Sequence, residues 1–222
     1  KILLTGADGQ VGYELWRALQ FNREVIPTTS DGREVDGMTT IKLDLSDPAD
    51  LEKKLENINA DVICNAAAYT QVDQAETDKE LAFTVNSAAP EIMAKYAKAE
   101  RALMVHYSTD YVFSGEGKVP RRETDVTGPQ GVYGESKLAG EQAIIASGCE
   151  HMMFRTAWVF AERKNNFLQT MLRLAQTKEE LSVVNDQTGC PTWANTIALG
   201  TMLALNQPET GIYHLTSNGS TT

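Results

Sequence analysis

The chain has 222 residues, of which 42% are apolar and 23% charged. That suits one large domain with a small lobe and a sizeable core. Lysine and arginine number 20 against 30 aspartates and glutamates, a net charge of −10. This argues against a nucleic-acid or anionic-membrane binder, both of which need basic faces, but not against an anionic small ligand held at a helix N-terminus.

No apolar run approaches the ~20 residues of a membrane span, so no membrane partner is expected. Lys1–Thr5 already reads as a core strand, so no leader is expected ahead of it. Cys64, Cys149 and Cys190 are an odd number without a CxxC pair, and His106, His151 and His214 lack helical ligand spacing. A disulfide framework and a transition-metal site are therefore not expected, and a reduced, cytoplasmic setting is.

Lys1–Thr5 is a short strand ended by glycine, and Gln10–Leu19 a helix with Val11, Leu15, Ala18 and Leu19 on one face. Glu24–Pro27 is a second strand, 28–40 a polar loop, and Ile41–Leu43 a third strand. Asp47-Pro48 opens a helix, with aspartate as cap and proline in the first turn. Asp61–Asn65 is a strand, Asn86–Lys98 a helix and Leu103–Tyr107 a strand. Val132–Ala146 is a helix, Met152–Val159 a strand and Phe167–Gln176 a helix. Ser182–Val184 is a strand, Ile197–Leu205 a helix and Gly211–Leu215 a strand. Such alternation predicts an α/β fold: a Rossmann-like, doubly wound parallel sheet covered on both faces. Residues 1–160 are expected to bind the cofactor. Residues 161–222 are expected to form part of a small substrate lobe, with further strands and helices returning to the sheet. The abrupt end at Thr222, after a strand and without a closing helix, suggests a truncated lobe.

Gly6-Ala7-Asp8-Gly9-Gln10-Val11-Gly12 joins the first strand to the first helix. In this G-x-x-G-x-x-G pattern Gly6 allows the turn, Gly9 lets backbone approach a pyrophosphate, and Gly12 lets helix pack on strand. The end of the second strand carries threonine instead of the acidic residue that binds a ribose 2′-hydroxyl. With Arg33 nearby, that favours NADPH while still admitting NADH. Asp44 follows the third strand, where a carboxylate suits either an adenine amino group or the next helix cap. Asn65-Ala66-Ala67-Ala68-Tyr69 ends the fourth with small residues against which a cofactor can lie.

Tyr133 and Lys137 stand four apart on one helix, hence on one face. A phenol titrates too high to be a good acid–base near neutrality, and a nearby ammonium lowers it. Ser108 and Thr109 end a strand where open sheets hold ligands, and the Thr109 hydroxyl suits a substrate carbonyl.

These stretches carry a resemblance. Gly6–Gly12, NAAAYT at 65–70, STDYVF at 108–113, YGESKLAGE at 133–141 and NDQTGCPT at 185–192 together resemble the extended short-chain dehydrogenase/reductases. More narrowly they resemble the dTDP-4-dehydrorhamnose reductase family. The resemblance implies NAD(P)H-dependent reduction of the C4 keto group of dTDP-4-dehydro-L-rhamnose to dTDP-L-rhamnose. It implies Tyr133 as proton donor, Lys137 tuning it and bonding the nicotinamide ribose, and Thr109 polarising the carbonyl. Cofactor contacts carried over are Gly9, Gln10, Val11, Asp44, Leu45, Ala67, Ala68 and Tyr69, beside Gly6 and Gly12 of the loop. Substrate contacts carried over are Val72, Asp110, Tyr111 and Trp158, with Thr109. Asn65 and Asn86 are expected to support the loop. A homodimer is the assembly to test. Some members join dimers through magnesium-bound glutamates. Glu14 fits one such position, but Asn195 occupies a second, so no metal is expected. The resemblance also implies a longer chain, whose remainder contributes to the nucleotide pocket. Two alternatives share the fold: a sugar-nucleotide epimerase or dehydratase, for which Asp110 beside Thr109 speaks, and a non-catalytic regulatory subunit of the methionine adenosyltransferase type.

Overall fold

The computed structural model describes residues 1–117 and 119–222. Seven parallel strands form the main sheet: β1 (Ile2–Thr5), β2 (Val25–Thr29), β3 (Ile41–Lys42), β4 (Val62–Asn65), β5 (Leu103–Thr109), β6 (His151–Thr156) and β9 (Gly211–His214). Their spatial order is β3-β2-β1-β4-β5-β6-β9. The order reverses between β1 and β4, so their carboxyl ends diverge into a crevice where open α/β sheets bind ligands. Two further strands, β7 (Val159–Phe160) and β8 (Thr192–Trp193), pair separately.

Side chains alternate across each strand, so each strand feeds two cores. Ile2, Leu4, Cys64, Val105, Met152 and Phe154 face α1 (Gln10–Leu19) and α8 (Ala194–Ala204), whose Leu15, Leu19, Ile197 and Ala198 are buried among them. Leu3, Ile63, Met104 and Met153 face the opposite layer of α2 (Pro48–Leu55), α5 (Ala89–Glu100) and α6 (Val132–Ser147), through Leu51, Leu55, Met93, Ala97 and Ile144. Helices on both faces make this a doubly wound α/β fold.

The helix ends follow from local chemistry. Asp47 caps α2 by accepting from the Asp50 backbone N–H, with Pro48 in the first turn. Gly148, at φ +67°, ends α6 in the left-handed region. Asn166 caps α7 (Phe167–Ala175) by accepting from the Gln169 N–H.

Four local expectations need correction. Ser182–Val184 is no strand: Val183 and Val184 are exposed and unpaired, because an apolar run forms a strand only beside a partner edge. The strand expected over 152–159 breaks at Trp158, whose φ of +44° cannot continue a ladder, and resumes as β7. The second strand reaches Thr29, two residues into the expected loop. The helix beginning at Asn86 in fact follows two short helices, α3 (Val72–Ala75) and α4 (Lys79–Phe83). A π-helical turn at Thr84–Ala88 contains Asn86 and precedes α5. Between the sheet and its helices, Arg155 on β6 and Glu141 on α6 form a bidentate pair at 2.9 and 2.6 Å, almost fully buried.

Candidate active site

A cleft of about 570 Å³ opens at the switch point. Gly6, Gly9, Gln10 and Val11 form its floor, Asp44 and Leu45 one end, and Ala67 and Ala68 a wall. Tyr133 and Lys137 line its far end. Gly6 adopts φ +65°, and a Cβ there would sit 2.8 Å from the Ala67 backbone. Gly12 is buried and does not line the cleft. A Cβ on it would come within 2.0 Å of the Gly6 carbonyl oxygen, so its place is in the packing of α1 against the loop.

The cradle fits a dinucleotide. The N-terminus of α1 carries no side-chain cap and no acidic residue in its first turn, so its N–H groups and dipole are free for an anion. Asp8, the acidic residue of the loop, is neutralised by Lys164 Nζ at 2.8 Å and Arg33 Nη2 at 2.5 Å. Burial raises the Asp8 carboxyl, but these two cations outweigh it and hold it below its usual value. Asp44 accepts from the Ser46 backbone N–H at 2.9 Å and hydroxyl at 2.7 Å, and still lines the cleft.

Tyr133 and Lys137 project from one face of α6. Burial pushes the Tyr133 phenol up to about 12; a hydrogen bond with Thr109 works the other way, and Asp110 and Tyr111 push further up. Lys137 is 2% exposed. Its Nζ donates to the Tyr107 carbonyl at 2.7 Å and lies 3.3 Å from His106 Nε2. Burial brings it down to about 8, against a smaller upward pull from Glu141. Nζ therefore sits against β5 in the free protein, and the phenol is not yet lowered by it. Thr109 Oγ1 donates to Asp110 Oδ1 at 3.1 Å and accepts from the Tyr111 N–H at 3.2 Å.

Residues 1–222 match the family described as the RmlD substrate binding domain. The dTDP-4-dehydrorhamnose reductases of Salmonella typhimurium and Escherichia coli are each 46% identical to this chain over 226 residues, covering all of it and 74% of their own length. The chain belongs to the dTDP-4-dehydrorhamnose reductase family. A crystal structure of such a reductase from Clostridium acetobutylicum superposes with a TM-score of 0.91 at 36% identity, over 100% of this chain and 75% of that one. The enzyme from Bacillus anthracis, solved in complex with NADP, gives 0.91 at 32%, with the same coverage. A UDP-glucose 4-epimerase from Thermus thermophilus shares the fold at 20% identity, with a TM-score of 0.81.

Within this reductase scaffold the other expected residues scatter around the cleft. Tyr69 does not line it: its hydroxyl donates to Asp78 at 2.9 Å, while Asn86 clamps its backbone N–H and carbonyl at 2.9 and 3.0 Å. Val72 opens α3, outside the cleft lining. Asp110 and Tyr111 start the short turn after β5, and Tyr111 packs edge-on against the Tyr133 ring at 5.6 Å between centroids. Burial raises the Asp110 carboxyl above its usual value, against the Thr109 hydrogen bond. Trp158 stands beside the cleft between β6 and β7. Gly189 lies flat on its indole, where a Cβ would approach within 2.3 Å. Sequence reasoning missed Lys164 and Asn165, which line the cleft from the segment before α7, and His106 beneath Lys137. Asn165-Asn166 was the available signal: Asn166 caps α7 and its Nδ2 also donates to Gln10 of the glycine loop at 2.8 Å.

Proposed function

We infer that this chain reduces the C4 keto group of dTDP-4-dehydro-L-rhamnose to dTDP-L-rhamnose with NAD(P)H. The observation that carries this is a dinucleotide cleft lined at one end by Tyr133 and Lys137, with Thr109 next to the lining residue Ser108 at the end of β5, in a chain 46% identical to reductases of that name. Bound in the cleft, the nicotinamide supplies the hydride. Residues Gly6–Val11 and the open end of α1 hold the pyrophosphate, and Ala67–Ala68 give the flat wall. Thr109, beside Tyr133, orients the substrate carbonyl, and the protonated phenol delivers its proton to the oxygen as the alkoxide forms. Lys137 moves from the Tyr107 carbonyl toward ribose and phenol, lowering the phenol's affinity for its proton.

Asp110, Tyr111, Val72 and Trp158 form the sugar pocket in this reading, with residues 161–222 contributing one side of it. NADPH is the preferred cofactor. Its support is the adenosine end: Thr29 and Arg33 hold the Asp31 carboxylate within its own loop, and the same Arg33 guanidinium pairs with Asp8 of the cleft lining. A cytoplasmic setting fits three unpaired cysteines, and a homodimer is the expected assembly.

The test is oxidation of NADPH and NADH, followed optically, with the 4-keto sugar nucleotide made in situ. Tyr133→Phe should lose roughly 10²- to 10⁴-fold in rate, as for removal of a general acid, with cofactor affinity kept. Turnover unchanged by that substitution would overturn the assignment. Cofactor binding without any turnover in the parent chain would point to the regulatory-subunit reading instead.

A further inference from the structure

Lys137 has three N–H donors. One goes to the Tyr107 carbonyl at 2.7 Å and a second faces His106 Nε2 at 3.3 Å. Both partners belong to β5, so they leave the third donor for the cleft that the lysine lines. His106 is itself wholly buried. Its Nδ1 lies 3.1 Å from the Asn65 amide on β4, and that amide lies 2.6 Å from Thr5 Oγ1 on β1, at the foot of the glycine loop. A continuous polar chain, Thr5–Asn65–His106–Lys137, thus crosses three adjacent strands beneath the cleft.

We propose that His106 is the positioning residue for Lys137, and that its ring proton changes nitrogen with the charge of that lysine. The proposal rests on the reductase reading only for its kinetic arm. A neutral imidazole has one donor and one acceptor. With the Asn65 NH₂ facing Nδ1, the ring proton sits on Nε2 and Nζ must accept it, as an uncharged amine. A charged lysine donates into Nε2 instead, which moves the ring proton to Nδ1 and turns the Asn65 amide oxygen toward it. Thr5 serves both arrangements, since its hydroxyl donates to the amide oxygen or accepts from the amide nitrogen. Lysine charge, ring tautomer and amide orientation are one variable.

The remaining groups around Nζ do not break this coupling. On α6, Glu141 one turn on is held by Arg155 from β6, and Tyr133 one turn back is a neutral phenol; Asn86, from the π-helical turn, is engaged by Tyr69 and Ser136. A protonated imidazole would place two cations in contact without water. Burial and the Lys137 charge accordingly hold His106 well below its usual value.

The decisive experiment is ¹⁵N NMR of the imidazole in the free protein between pH 6 and 10. The expected result is a neutral ring throughout, with its proton on Nδ1 at the acid end and on Nε2 at the alkaline end. A ring that keeps one tautomer over the range, or that takes up a second proton above pH 6, overturns the proposal without touching the reductase reading. In kinetics, His106→Met should lower kcat about 10- to 100-fold, the scale of a misplaced catalytic group. It should leave the sugar KM unchanged and move the alkaline limb of the pH–rate profile down. His106→Gln, which keeps an acceptor for Nζ, should recover most of the rate. An unchanged profile in a folded His106→Met protein also overturns the proposal. Absence of turnover in the parent chain counts against the reductase reading alone and leaves the NMR outcome decisive.

Discussion

Burying Lys137 destabilises the fold at neutral pH, and the structure gives the size and the pH window of that cost. The folded lysine titrates at about 8 where an ordinary one titrates at 10.5. A lysine whose folded value lies below its unfolded value is penalised most when both states want the proton. The penalty is complete below pH 8 and is relieved as pH rises through the window from 8 to 10.5, where the unfolded chain binds more protons than the folded one. At ~1.4 kcal/mol per pH unit of displacement, the full penalty is about 3 kcal/mol. Lys137→Met removes it but leaves the Tyr107 carbonyl without its Nζ donor, a loss that does not vary with pH over this range. The difference in unfolding free energy between Lys137→Met and the parent should therefore shift by about 2 kcal/mol between pH 7 and pH 10, with the variant relatively more stable at pH 7. Urea unfolding at the two pH values measures it, and titration of the other lysines and tyrosines cancels in the difference. A pH-independent difference would refute the buried-lysine reasoning. The same variant should have lost its turnover, which places stability and activity in opposition at one side chain.

Glu141→Gln leaves the Arg155 guanidinium buried without its carboxylate and should cost about 3 to 5 kcal/mol in urea unfolding; a loss under about 1 kcal/mol would mean that water reaches the pair. Gly12→Ala sets a Cβ 2.0 Å from a backbone oxygen that cannot move aside, so a Tm drop together with weakened NADPH binding is expected, and normal binding by fluorescence titration would contradict it. Gly189→Ala pushes a methyl group into the Trp158 indole from 2.3 Å. A raised KM for the sugar nucleotide at unchanged NADPH affinity is expected, whereas an unchanged KM would remove Trp158 from the sugar pocket.

Much of this was legible in the chain because the long elements repeat a pattern. Val11, Leu15, Ala18 and Leu19 mark one helix face, and all of them enter the core between α1 and α8. The glycine loop was legible because Gly6 and Gly12 answer steric demands that no other residue meets. Shorter elements were not. The strands β7 and β8 have two residues each, too few for alternation to register, and Val183–Val184 is apolar without being paired. The π-helical turn at Thr84–Ala88 carries no periodic signature, yet it sets Asn86 to clamp Tyr69. At the site, spacing put Tyr133 and Lys137 on one face but could not say where Nζ points. That depends on His106 and the Tyr107 carbonyl, 31 and 30 residues away along the chain.

Several irregularities of this chain lie at or beside its cleft. A buried lysine, a π-helical turn and an acidic residue of the glycine loop contribute to the cleft lining, and a tryptophan at positive φ stands between the lining residues Thr156 and Val159. Each is unfavourable alone: a non-glycine residue in the left-handed region costs about 1 to 2 kcal/mol, and a buried cation costs more. Each is also held by a specific neighbour. Gly189 packs on Trp158, Tyr69 engages Asn86 of the π-helical turn, Lys164 and Arg33 neutralise Asp8, and His106 with the Tyr107 carbonyl receives Lys137. A core optimised only for stability has no reason to contain such pairs. Replacing the strained member should stabilise the fold, whereas replacing its holder should destabilise it. That asymmetry separates a functional irregularity from an accident of packing, and Lys137 with His106 is the pair at which both halves can be measured in one protein.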